Sequence, residues 1–172
     1  MNRIAHLALL ITLTAPSWCQ ALSTDHDKPM MIEADRVELD DSTGISVYSG
    51  NVKVTQGTLM LTGDRMTVHN KGDDIQKVLM DGSPATYQQR PDGKDQDVHA
   101  KSRHMEYYTN PERIILLEQA EVDQAGDVLR SERIVYDVVK DQVNAGTDQP
   151  NQRVIITLQP KPKKDNKATP AP

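Results

Sequence analysis

The histidines and clustered carboxylates are the residues of this chain that could do acid–base or metal chemistry, and their spacing favours neither. His99 and His104 are an odd number of residues apart, so on a regular strand they face opposite sides. Only a bulge between them would change that. Solvent-facing side chains account for them better than a metal site, which needs several converging ligands. Asp25-His26-Asp27 imitates a metal cluster, but it lies near the start of the exported chain, where flexibility is expected. Asp40-Asp41 and Asp73-Asp74 fall in turns, where carboxylates cap backbone donors more readily than they pair for acid–base work. The chain has no Gly-x-Ser-x-Gly elbow, no His-Glu-x-x-His and no phosphate-cradling glycine loop. No catalytic residue, metal ligand or cofactor is expected. The chain reads as a non-enzyme.

The elements that would position any site begin after residue 21. Arg3 gives a short basic start, Ile4 to Ala15 an apolar run too short to span a bilayer, and Pro16 to Ala21 a turn with a small residue. This is the layout of a cleavable secretory signal over residues 1–21. Its removal takes away the only Cys and the only Trp, so the exported chain must be stable without a disulfide. The signal holds one of the 20 basic residues, leaving 19 against 25 acidic ones. Four of the 19 are lysines of the tail, Lys161, Lys163, Lys164 and Lys167. An acidic body has the wrong sign for nucleic acid. Residues 159–172, rich in Pro and Lys and without large apolar side chains, read as a disordered tail.

Residues 22–158 read as strands almost throughout. Asn51 to Thr55, Arg113 to Leu117 and Arg153 to Leu158 are rich in β-branched and apolar residues. Turn signals fall at Ser42-Thr43-Gly44, Asn70 to Asp73, Asp81-Gly82, Pro91-Asp92-Gly93, Asn110-Pro111 and Ala125-Gly126. An internal repeat pairs Val37 with Met105, Val54 with Val122, Leu61 with Leu129 and Asp64 with Glu132, always 68 positions apart. A shorter motif, starting at Ala34, Gly63, Ser102 and Ser131, recurs inside the halves. Stacked strand modules of this kind point to an elongated, open-ended β structure. At three of the copies the apolar alternation visibly slips by one residue: Ile32 and Ala34 give way to Val37 and Leu39, Leu61 and Gly63 to Met66 and Val68, Leu129 and Ser131 to Ile134 and Tyr136. An inserted residue does this. A bulge or bend is predicted at each copy, near Arg36, Arg65, His104 and Arg133.

The inward side chains are unusual in kind. There is no Phe, and six methionines follow the signal, at 30, 31, 60, 66, 80 and 105. Aliphatic and thioether groups make an adaptable surface suited to acyl chains, although an ordinary β-core uses the same residues.

Gly44 to Gly57, reading Gly-Ile-Ser-Val-Tyr-Ser-Gly-Asn-Val-Lys-Val-Thr-Gln-Gly, closely resembles the signature of the OstA-like family, the LptA type among its members. The motif copy at Ala34-Asp35, Pro84 to Tyr87, Met105 to Tyr107 and Ile134 to Tyr136 also look like that family, so the match runs from about Lys28 to Leu158. Tyr87 stands where phenylalanine is common in the family. The resemblance implies an all-β fold, a twisted, open antiparallel jelly roll with a greasy interior. It also implies a soluble periplasmic bridge that shields the lipid A acyl chains of lipopolysaccharide. Such units join head to tail with one another, with an inner-membrane-anchored partner at one edge and with an outer-membrane jelly-roll partner at the other.

From alternation and slip together, the expected lipid-facing residues are Met30 and Ile32, then Val37 and Leu39, then Val54, Leu61 and Met66, and finally Tyr87, Met105, Tyr107 and Val122. The expected docking edges are Met30 and Ile32 at one end and Val154, Ile155 and Ile156 at the other, joined by strand addition. Two rivals remain at this level: a structural adaptor with a closed core, and a carrier of a different lipid. A jelly-roll hydrolase would need His and carboxylates converging inside, which the scattered histidines do not offer.

Overall fold

The computed structural model describes residues 24–91, 94–137, 140, 142–147, 149–150 and 152–160. The segment 1–21, the side chain of His26 and the tail beyond Pro160 lie outside the described residues. Among the described residues a 3-10 turn at Thr24–Asp27 is followed by ten strands. They are β1 (Met31–Glu33), β2 (Arg36–Asp40), β3 (Ile45–Gln56), β4 (Leu59–Lys71), β5 (Asp74–Gln89), β6 (Val98–Thr109), β7 (Glu112–Gln124), β8 (Asp127–Asp137), β9 (Gln142–Ala145) and β10 (Ile155–Thr157).

All ten belong to one antiparallel sheet in the order β1-β3-β4-β5-β6-β7-β8-β10, with β2 also on β3 and β9 also on β8. β1 and β10 are the two ends of that order, so the sheet is open. The fold is an open antiparallel jelly roll. Long strands joined by tight turns need no crossover, which is why neighbours in sequence are neighbours in the sheet.

Each long strand is interrupted near its middle. Register shifts fall between Ser49 and Val52 against β4, between Thr62 and Arg65 against β5, and between Asp81 and Ala85 against β6. They continue between Lys101 and His104 against β7, and between Leu117 and Ala120 against β8. Those positions match the predicted sites near Arg65, His104 and Arg133, and β1 gives way to β2 just before Arg36. The extra residues, however, belong to the intervening strands. β3 carries Gly50-Asn51, β5 carries Gly82 to Pro84, and β7 carries Glu118-Gln119.

The 68-residue repeat returns here as backbone geometry. Gly50 and Asn51 have φ of 79° and 46°, and their counterparts Glu118 and Gln119 have 63° and 59°. Gly57 at 59° likewise corresponds to Ala125 at 60°. One bulge design is used twice, with and without glycine.

Two sequence expectations need correction. Asp81-Gly82 is not a turn between strands, because β5 runs through it to Gln89. It is a bulge so tight that a Cβ on Gly82 would stand 2.5 Å from the Ala85 nitrogen, with Pro84 placed where no ladder N–H is needed. The last strand is also shorter than Arg153 to Leu158, pairing only over Ile155–Thr157.

Side chains on both sides of the interruption line pack into one core. A flat sheet could not do that, so the bulges act as the hinge line of two facing arms. The tightest packing lies along that line, at Val52 (1%), Ala85 (0%), Ser102 (1%) and Ala120 (1%) exposed. Only small residues fit there: a Cβ on Gly63 would meet Met80 Sδ at 2.6 Å and the Asp81 carbonyl oxygen at 2.7 Å.

Candidate functional site

The inner face is built from three cross-strand rows. On the first arm, Ile32, Val54, Leu61, Tyr87, Ala100, Val122, Leu129 and Ile156 are successive partners from β1 to β10. Beside the hinge, Val37, Tyr48, Met66, Met80, Met105, Leu116, Ile134 and Ala145 form the second row. On the second arm, Leu39, Ser46, Val68, Val78, Tyr107, Ile114, Tyr136 and Val143 form the third. Only Ser46 breaks the sequence of apolar or aromatic groups.

Ten of the eleven residues predicted to face lipid stand on these rows. Met30 does not, since it precedes β1 and is exposed. The ten differ in accessibility. Val54, Met66 and Met105 are buried; Ile32, Leu61, Tyr87, Tyr107 and Val122 are half-buried; Val37 and Leu39 are exposed. The interior is therefore filled by the protein's own side chains in the middle, and its apolar surface is uncovered at the edge strands. Sequence reasoning left out Met80, Leu116 and Ile134, which close the middle row. For Met80 and Leu116, β5 and β7 carry no copy of the short motif, so the slip gave no signal there; Ile134 lies in the marked β8 and was passed over despite its slip.

Both edges are split at the hinge. β1 and β2 share β3, and β10 and β9 share β8. The predicted docking residues Val154, Ile155 and Ile156 are exposed at 40%, 55% and 63%, while Ile32 is half-buried. Met31, on the outer face of β1, adds another exposed apolar group at 57%.

The outer face is polar and internally paired. Thr62 and Thr86 hydroxyls meet at 2.6 Å, and Glu121 joins Lys101 at 3.2 Å and Arg130 at 2.7 Å. The bulge turns both His99 and His104 to this face, since Ala100, Ser102 and Met105 take the inner positions. His104 Nδ1 lies 2.5 Å from Asp81 Oδ1 and Nε2 lies 3.3 Å from Glu106 Oε1. Burial alone would raise the Glu106 carboxyl, but the Tyr108 hydroxyl, Lys77 and His104 outweigh it and hold it below its usual range. Among the described residues no group of three His, Cys, Asp or Glu could hold a metal ion. Asp40 caps its turn by accepting the Ser42 N–H at 2.9 Å and the Thr43 N–H at 3.2 Å. Asp25 departs from expectation: it is 6% exposed and firmly bonded, not part of a loose terminus.

Beside Ser46, Ser102 and Ser131, the tyrosines bring polar groups to the inner face. Tyr107 donates to Glu112 at 3.1 Å, and its hydroxyl is pushed up to about 12 by burial and by that carboxylate. Tyr87 is pushed up further, first by burial and then by the charges of Tyr136, Asp25, Tyr107 and Glu112. Tyr87 is on the first arm and Tyr107, Tyr136 and Glu112 on the second, near enough for their charges to act on it.

Residues 31–142 match the family model described as LptA/(LptD N-terminal domain) LPS transport protein. The chain is 38% identical over 174 residues to the lipopolysaccharide export system protein LptH of Pseudomonas aeruginosa, covering 95% of this chain and 99% of the relative. It is 31% identical over 154 residues to the lipopolysaccharide export system protein LptA of Escherichia coli K12, covering 88% and 80%. Its fold is similar to the crystal structure of LptH, described as the LptA homologous periplasmic component of the Pseudomonas aeruginosa lipopolysaccharide transport device. That likeness has a TM-score of 0.71 and 35% identity over 79% of this chain and 99% of the other.

Proposed function

Because the chain belongs to the LptA/LptD N-terminal-domain family of lipopolysaccharide transport proteins, we propose that it carries lipopolysaccharide through the periplasm with the acyl chains on its inner face. The observation that carries this reading is the continuity of the three rows. They run from one edge strand to the other, and at the edges Val37, Leu39, Val143 and Ile156 are exposed while Ile32 and Ala145 are half-buried. Each exposed methylene costs about 0.8 kcal/mol in water, so a twelve-carbon chain meets roughly 9 kcal/mol against crossing alone. A continuous apolar face removes most of that barrier while the sugar head stays wet. In this role the protein makes and breaks no covalent bond.

Among the described residues no helix is long and apolar enough to cross a membrane. With the export signal read at residues 1–21, this supports a periplasmic place.

The edges support head-to-tail joining. The order from β1 to β10 holds eight strands joined by seven antiparallel pairings, so β1 and β10 run in opposite directions. Copies stacked in one orientation then continue the antiparallel ladder, and the same edges suit inner- and outer-membrane partners of like fold. Ile155→Asp should weaken that docking.

Mass spectrometry of protein purified without detergent tests the reading. A retained lipopolysaccharide or lipid A species is expected. The packed middle row is also what a closed-core adaptor would have, and that protein would come through with no lipid.

A further inference from the structure

The buried carboxylate of Asp25 lines no part of the groove, yet it is held on several sides. One oxygen accepts the Thr58 N–H at 2.8 Å; the other accepts the Thr58 hydroxyl at 2.7 Å and the Gln89 side-chain amide at 2.9 Å. The turn is shaped around it. Gly57 is left-handed, and a Cβ there would stand 2.0 Å from the carboxylate oxygen. Lys28 N–H donates to the Asp25 carbonyl at 2.9 Å and the Gln56 amide to the Lys28 carbonyl at 3.0 Å, which fasten the 3-10 turn to the end of the first arm.

Gln89 passes the contact on. Its side-chain oxygen accepts the hydroxyl of Tyr87. A line of hydrogen bonds therefore runs from the β3–β4 turn through Asp25 and Gln89 to a phenol on the inner face. Tyr136 and Tyr107 of the second arm, the latter tied to Glu112, lie within electrostatic reach of that phenol. The open side between the two arms, the mouth, therefore carries phenol hydroxyls set on the first and third rows. Hydrogen-bonded contacts can part and reform with water as a substitute partner, whereas a packed apolar seam cannot.

We infer that Asp25 is a positioning residue for this mouth: through Gln89 it holds the Tyr87 hydroxyl in place on the first arm, and acyl chains enter between the arms by displacing that hydroxyl. The entry route rests on the lipid-carrying reading above; the positioning does not.

Two measurements on the exported chain separate these. The first uses NMR of ring-labelled tyrosine at neutral pH without lipid. Asp25→Ala and Gln89→Leu should each speed the ring flips of Tyr87 about fivefold, the change one lost hydrogen bond makes to an opening equilibrium, and leave Tyr107 unmoved. A residue that merely anchored the turn would not single out Tyr87, and unchanged flips in both variants would overturn the positioning. The second follows uptake of lipid A bearing a fluorescent acyl chain. Asp25→Ala and Tyr87→Phe should load about fivefold faster than the parent, and the double variant no faster than either. Faster flips with unchanged uptake would overturn the mouth as the entry route. A parent protein that takes up no lipid A would contradict the carrier reading instead, and the ring flips would still decide for or against Asp25.

Discussion

Met80 of β5 stands directly across the ladder from Met105 of β6, and both are closed off from solvent at 2% and 6% exposure. Met66 is the next partner along the same row. The buried middle of that row therefore holds three unbranched thioethers beside Leu116 and Ile134. Methionine has three rotatable bonds and adapts to irregular surfaces, so this row can be sealed when empty and yield when filled.

Replacing Met66, Met80 and Met105 together by leucine tests that flexibility. Volume is nearly conserved, so each change should cost less than about 1.5 kcal/mol in urea denaturation. Uptake of labelled lipid A should nevertheless fall severalfold. Unchanged uptake would show that the row does not move.

Gly63→Ala tests the hinge. The added methyl would meet a backbone carbonyl oxygen at 2.7 Å as well as the Met80 sulfur, and backbone cannot step aside. A loss of about 1–3 kcal/mol is expected by denaturant titration.

The hinge also separates what the residues announced from what they concealed. Slipped alternation is written directly in β4 and β8, because polar pairs such as Asp64-Arg65 and Glu132-Arg133 interrupt the apolar parity. The inserted residues were harder to see. Gly50-Asn51 has left-handed composition, but Glu118-Gln119 does not, and only the repeat relates the two. In β5 the Asp81-Gly82 pair at the insertion looked like a chain reversal. Asp25 was concealed for another reason: its partners Thr58 and Gln89 are distant in sequence, and nothing local distinguishes a buried carboxylate from a terminal one. Periodicity gave part of each row, while the filling of the middle by Met80, Leu116 and Ile134 depends on packing that no local pattern marks.

Glu118→Gly follows from the same comparison. Glu118 holds φ of 63° where its repeat counterpart is glycine. A non-glycine residue in that region is strained by about 1–2 kcal/mol, partly offset by the greater freedom glycine gives the unfolded chain. A net gain of about 0.5–1 kcal/mol should appear as a higher denaturation midpoint.

The outer-face network predicts a pH dependence. Glu106 is held below its ordinary value, so its stabilising contribution is present above the unfolded carboxylate range and is lost as pH falls through the folded value. Glu106→Gln should thus be less stable than the parent at neutral pH, and the two should converge below about pH 4. Parallel stability curves across that range would contradict the assignment.

Photo-crosslinking from single positions, with lipopolysaccharide as the target, tests the inner face most directly. A photo-reactive residue at Ile32 or Tyr107, on the apolar rows, should capture lipopolysaccharide, and one at Glu33, adjacent in β1 but turned outward, should not. Capture from Glu33 with none from Ile32 or Tyr107 would contradict carriage on this face.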